Sequence, residues 1–402
     1  MSSLHREVLS SKLHPSKLLP PMSRRPMGTR SRIRQKDDFI PISWDKYFTT
    51  CKKIQVAENE FNIYTLGDSG PLLVLLHGGG YSSLTWSLFA KEIYSMVTCQ
   101  VLAIDLRGHG NSTTNDDDDL SASTLANDVG EIISTLYPET IPPVILMGHS
   151  MGGAIAVHAT YNNNINSVVA LIVIDVVEGT AVDALTSMQS FLRSRPSSFV
   201  SVTDAISWSL YNGQVKNVES ARVSVPGQIK NAETGILAAF EKINLVNTGD
   251  ELDIRRTIVP ETIQEDVVEF KIPVNNPKGK YVWRIDLGKT EKHWRGWFQG
   301  LSNIFLNCKT QKLLLLANID RLDRDLTVGQ MQGKFAMHVL TKVGHAVHED
   351  EPTQVAEIIA NFLVRNKFSQ PKENFRFGAQ IHLNYENLRD LKHQFFHKHN
   401  NK

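Results

Sequence analysis

Short apolar runs recur along the chain, each leading through a turn into a stretch with helical patterning. Leu72 to Leu76, Val101 to Ile104, Val144 to Met147, Val168 to Ile174, Lys312 to Ala317 and Phe335 to Leu340 read as strands, and the segment opening at Gly153 and that from Val355 to Val364 as helices. This alternation predicts an α/β fold, with a mainly parallel sheet wrapped by helices. Residues 178–303 interrupt the pattern and predict an inserted cap, helical over Ala181 to Arg193 and Ala232 to Leu245. Within it, 246–288 mixes charges, proline and glycine without sustained periodicity, which predicts a mobile loop. The expected division is a disordered basic tail over 1–36, core over 37–177 and 304–368 around the cap, and a peripheral tail over 369–402.

The junctions between these elements carry the candidate chemistry. Gly148-His149-Ser150-Met151-Gly152 joins a strand to a helix and has the G-x-S-x-G spacing of a nucleophile elbow. Glycines flank the serine because strand and helix approach too closely there for side chains. The turn lifts the hydroxyl above the sheet edge and aims the unpaired amides of the helix N-terminus at the reaction site. Upstream, Leu72 to Leu76 runs into His77-Gly78-Gly79-Gly80, a loop suited to an oxyanion hole. The amides of Met151 and of Gly79 or Gly80 are the candidate donors.

Gly344-His345-Ala346-Val347-His348-Glu349-Asp350 follows the last expected strand and offers the general base, His345 first and His348 as the fallback. For the acid, Asp175 ends one strand, while Asp320 and Asp323 follow another. Either position keeps the order serine, acid, histidine, and the acid left over would serve as a cap or loop residue.

Composition narrows the class further. Among 402 residues the formal net charge is +1, so no global field favours nucleic acid. Three scattered cysteines, Cys51, Cys99 and Cys308, fit neither a metal cluster nor a disulfide framework and point to a reducing compartment. No apolar run approaches the roughly 20 residues that span a bilayer. Asp116 to Asp119 lacks the spacing of a calcium loop and reads as a solvated turn. The first 36 residues are basic and serine- and proline-rich, faintly like a transit peptide, with a weak nuclear signal over 24–34; disorder is the preferred reading. Trp283, Trp294, Trp297 and Phe298 gather where the cap returns to the core, either as packing or as the lining of a peptide groove.

Beyond the elbow, Asp175-Val176-Val177-Glu178-Gly179-Thr180, Glu219-Ser220-Ala221-Arg222-Val223-Ser224, Met331-Gln332-Gly333-Lys334-Phe335 and the histidine segment together resemble the protein phosphatase methylesterase family of the α/β-hydrolase superfamily. The resemblance spans roughly Asp37 to Phe368. It implies a serine esterase acting on the methylated C-terminal leucine carboxyl of the phosphatase 2A catalytic subunit, in a hydrolysis that needs no cofactor or metal; the expected setting is cytoplasmic, with the nucleus left open as a second one. It also implies Asp175 as the acid and Met331 as a substrate-binding residue. A general ester hydrolase or lipase, and a non-catalytic phosphatase-binding protein, are the competing classes.

Overall fold

Ten strands and twelve α-helices alternate along the described part of the chain. The computed structural model describes residues 39–183, 185–241, 279–317, 322–373 and 375–376. The strands are β1 (Thr50–Val56), β2 (Asn59–Leu66), β3 (Leu72–Leu76), β4 (Gln100–Ile104), β5 (Val144–His149), β6 (Val168–Ile174), β7 (Ile229–Asn231), β8 (Tyr281–Trp283), β9 (Gln311–Leu316) and β10 (Ala336–Val339). Eight of them form one sheet in the order β1-β2-β4-β3-β5-β6-β9-β10, in which only β2 runs against its neighbours. The hairpin of β1 and β2 went unread in the sequence because its residues are mixed in polarity.

The central strands are apolar at every position because both faces are covered. Successive residues feed opposite layers: Leu72, Val74 and Leu76 of β3 pack into one core, Leu73 and Leu75 into the other. The first layer contains α2 (Ala122–Leu136) and α3 (Met151–Tyr161), and the second α1 (Ser87–Met96) and α12 (Pro352–Arg365). This double cover leaves the loops beyond the strand ends as the place for a site.

The insertion holds α4 (Glu178–Asp183), α5 (Leu185–Ser194), α6 (Val202–Tyr211), α7 (Val218–Ser224), the ribbon of β7 and β8, and α8 (Glu291–Phe298). It has its own apolar cluster around Phe199, Ile206, Trp208, Ile229 and Tyr281. Its return is different: Trp294, Trp297 and Phe298 of α8, with Leu301 and Phe305 of α9 (Leu301–Asn307), belong to the core layer of α3. The expected resumption of the core at residue 304 therefore falls inside α9. From α10 (Arg324–Met331) the chain enters β10, and α11 (Val347–Asp350) precedes α12.

One expectation for the insertion is corrected. No α-helix forms over 232–241, only a 3-10 turn at Ala238–Phe240; Asn231 Oδ1 accepts from the amides of Glu233 and Thr234, and Gly235 turns the chain at φ +70°. The loop expected over 246–288 falls outside the described residues up to 278, but its described end pairs as β8 with β7, Tyr281 buried against the insertion's cluster. The basic tail over 1–36 and residues 377–402 also lie outside the described residues, while 369–376 runs beside α1, where Lys372 N donates to Met96 O at 2.8 Å. No helix of the described residues is long and apolar enough to cross a membrane.

Candidate active site

The turn between β5 and α3 holds Ser150 at φ 52°, ψ −121°, a region a non-glycine residue enters only when its surroundings impose it. The flanking glycines show why the surroundings leave no choice. A Cβ on Gly148 would lie 2.1 Å from the Gly152 carbonyl oxygen, and one on Gly152 would lie 2.3 Å from that of Leu76. The Met151 amide opens α3 and so has no acceptor within the helix.

Asp175 follows β6 at φ 52° and is 2% exposed. Its Oδ1 accepts from the Ala317 amide at 2.9 Å and its Oδ2 from His345 Nδ1 at 2.7 Å. With Nδ1 carrying the proton, His345 Nε2 is the ring's basic nitrogen. The loop carrying His345 is stapled from both sides. Asp350 accepts from the amides of Gly344, at 2.6 Å, and of Lys216, at 2.7 Å, while His149 Nε2 donates to the His345 carbonyl at 2.8 Å. His149 is held neutral, its pKa driven well below the ordinary value by burial and by the neighbouring His345 and His348.

The glycine loop is set by two further buried histidines. Nδ1 of His77 donates to the Gly78 carbonyl at 2.8 Å and its Nε2 accepts from the Leu106 amide at 3.0 Å. Nδ1 of His109 donates to the Arg107 carbonyl at 2.8 Å and its Nε2 accepts from the Gly80 amide at 2.9 Å. Burial keeps both rings neutral, lowering His77 to about 4 and His109 to about 3, and that neutrality is what lets each accept at Nε2. Of the two glycine donors read from the sequence, Gly80 is thereby corrected: its amide is already given to His109. Gly79 stands beside Met151, with room for a Cβ 3.7 Å from the Met151 sulfur.

Ser150, His345 and Asp175 line one cavity of about 680 Å³ together with Gly79, Gly80 and Met151. One wall is apolar, built from Val177, Met188, Leu192, Leu287, Trp294 and Phe298. The aromatic cluster is thus both packing and lining: Trp294, Trp297 and Phe298 are buried and face the cavity, whereas Trp283 is not among the lining residues. Met331 does not line it either, standing 79% exposed at the end of α10.

The remaining candidates have structural partners. His348 is fully buried, stacked on Trp86 with centroids 4.0 Å apart, and lowered to about 3 by burial, so it cannot serve as the solvent-facing base. Asp320 lies outside the described residues. Asp323 caps α10, accepting from the Leu326 amide at 2.9 Å. In the acidic run, Asp117 accepts from Arg284 at 3.0 Å and Asp119 from Thr124 at 2.7 Å. All three cysteines are unpaired.

Sequence reading missed the roles of His149 and Glu349. Glu349 accepts from Thr85 and, at 2.9 Å, from Ser224, while Ser220 donates to its carbonyl at 2.8 Å. The serines of Glu219 to Ser224 and the histidine segment, far apart in the sequence, meet at this buried residue.

A parallel sheet bearing a serine on a strained strand-to-helix turn, beside a carboxylate-bound histidine, defines an α/β hydrolase, and the model described as the alpha/beta hydrolase family matches residues 73–358. The fold is shared with solved structures of E-2-(acetamidomethylene)succinate hydrolase (TM-score 0.59, 16% identity, 78% of this chain and 99% of that one) and a thioesterase domain from the curacin pathway (TM-score 0.51, 17% identity, 77% and 98%). The relatives are more particular. The chain is 47% identical over 387 residues to protein phosphatase methylesterase 1 of Bos taurus, covering 94% of this chain and 100% of that one. It is 42% identical over 348 residues to probable protein phosphatase methylesterase 1 of Caenorhabditis elegans, covering 86% and 84%. The chain belongs to the protein phosphatase methylesterase family and is a carboxylic ester hydrolase.

Proposed function

We propose that this protein is a serine methylesterase that removes the methyl group from the methylated C-terminal leucine carboxyl of the phosphatase 2A catalytic subunit. The observation that carries the reading is that Ser150 and the hydrogen-bonded Asp175–His345 pair line one cavity together with a set of apolar residues. That apolar lining suits a leucine side chain, and the open mouth suits a chain end.

The reaction then runs through the groups already placed. Ser150 Oγ attacks the ester carbonyl as its proton passes to His345 Nε2, while Asp175 holds the ring and offsets its charge. The Met151 amide, with Gly79 as its partner donor, takes the oxyanion; losing one such donor lowers the rate about 100- to 1,000-fold. The carbon–methoxy bond breaks, His345 returns its proton to the leaving oxygen, and methanol departs. Water attacks the acyl-enzyme, gives a proton to His345, and frees Ser150 and the leucine carboxylate. Met331, exposed beyond the cavity, is left to contact the body of the protein substrate. A cytoplasmic and nuclear setting fits such a partner.

The test is loss of methyl from carboxymethylated phosphatase 2A, beside a short-chain acyl ester and the Ser150→Ala variant. Serine-dependent demethylation with weak small-ester turnover is the expected result. Fast small-ester hydrolysis without demethylation would replace this reading with a general esterase. Inactivity on both with retained binding would leave a sequestering protein.

A further inference from the structure

Arg195, Asn212 and Gln214 line the same cavity as the apolar residues. Among its described lining residues Arg195 is the one permanent cation. Its guanidinium lies 3.6 Å from the ring centroid of Trp283, a stack that fixes the plane of the group. Trp283 is itself fixed, donating from Nε1 to the Pro196 carbonyl at 2.8 Å and packing edge-on against Phe199 and Trp208. The group is therefore held in place before any ligand arrives.

It is also unanswered. Arg195 Nε is buried without a hydrogen-bond partner, and no ion pair joins the guanidinium to a carboxylate among the described residues. Gln214 Oε1 is likewise buried and without a partner, while the amide's Nε2 donates to Gln228 Oε1 at 3.2 Å and the side chain lies beside the Tyr81 hydroxyl. Burial lowers Arg195 to about 10, opposed by Tyr81 and Asp286. A buried N–H and a buried acceptor without partners are costly to leave in that state, and a ligand that satisfies both offsets the penalty.

We propose that Arg195 is the carboxylate-recognising residue of this cavity, pairing with a carboxylate of the peptide while Gln214 accepts a peptide N–H. The inference rests on the methylesterase reading for its substrate. Two sources supply the same chemistry. One is an acidic side chain upstream of the ester, which would guide the substrate in. The other is the product: hydrolysis turns a neutral ester into an anion inside a cavity that holds a fixed cation, so the product would be retained more tightly than the substrate.

Short synthetic peptides ending in leucine separate the two. Each is made as methyl ester, free acid and C-terminal amide, with aspartate or asparagine upstream of the leucine, and used with the full-length protein. Binding of the acid and amide forms is read as inhibition of short-chain acyl ester hydrolysis. If the side chain is the source, the aspartate esters have a KM about ten-fold below the asparagine esters. If the product is the source, the free acid of the asparagine peptide inhibits about ten-fold more tightly than its amide. In Arg195→Gln the operative ratio falls to near unity, and Arg195→Met, which keeps the stem against Trp283, is the second variant should the first not fold. A wild-type protein showing neither preference overturns the proposal, whatever the variants do, and so does a preference that persists in a folded variant. Failure of the methylesterase reading is distinct: the methyl esters would go unhydrolysed while the acid-to-amide ratio is still read from the acyl ester.

Discussion

Ser150 and Asp175 share a feature that ties their chemistry to their backbone: both sit at positive φ, 52° in each case. Each occupies the first position beyond a strand, where the chain must turn sharply to present the side chain over the sheet edge. Ser150→Ala leaves that turn and removes the attacking oxygen, so hydrolysis should fall about 10⁴-fold or more while binding to the phosphatase persists, as measured by demethylation beside pull-down. Asp175→Asn should lower kcat about 10⁴-fold with little change in KM, because an amide facing Nδ1 favours the wrong imidazole tautomer. Should Asp320→Asn rather than Asp175→Asn give that loss in folded protein, the acid lies after β9 instead.

At the scale of elements, close approach decides more than propensity. Gly152 lets α3 cross within 2.3 Å, measured from a would-be Cβ, of the backbone leaving β3. Because backbone cannot rotate away as a side chain can, Gly152→Ala should yield little folded protein, scored by soluble expression and circular dichroism. Trp297 anchors the returning insertion, 3% exposed and donating from Nε1 to the Leu120 carbonyl at 2.7 Å. Trp297→Ala should lower unfolding stability by about 3–5 kcal/mol in urea titration. The sheet was legible because its central strands, buried on both faces, form unbroken apolar runs, and the elbow because its glycines flank the serine at a fixed local spacing, although Gly152 is dictated by the Leu76 backbone far along the chain. The insertion was less legible: β7 and β8 are three-residue strands, with Ile229 and Trp283 brought together from far along the chain. The acid was undecided for the same reason, since Asp175 and Asp320 both follow strands and only the approach of His345 separates them. The glycine loop was read correctly as a loop, but the acceptor for Gly80 is a histidine 29 residues away, which no local pattern announces.

For the whole molecule, the buried titrating groups set opposing pH slopes. His77, His109 and His348 are lowered to about 4, 3 and 3, and His149 well below the ordinary value, chiefly by burial. Below their ordinary value of 6.5 the unfolded chain takes up protons that the folded chain refuses, so their stabilisation is present above that pH and is lost on acidification. Glu349 acts the other way, raised by burial from 4.5 to about 8. The folded chain retains a proton there that the unfolded chain has released, so stability falls as pH rises through that interval. Melting curves across pH should therefore drop on both sides of an optimum near neutrality, about pH 6–7, and Glu349→Gln should flatten the alkaline side while steepening the acid side, where the opposing slope of Glu349 is also lost.

The order of reactive groups along the chain has an assembly consequence. Ser150 and Asp175 precede the insertion and His345 follows it, yet the Asp175–His345 pair closes only when β6, β9 and the loop after β10 lie side by side. A chain emerging from the ribosome would thus hold its nucleophile and acid long before its base, and could not hydrolyse an ester until nearly all of it had been made. A chain divided within the insertion would likewise be two inert halves, and esterase turnover on mixing them would be a direct readout of their reassembly.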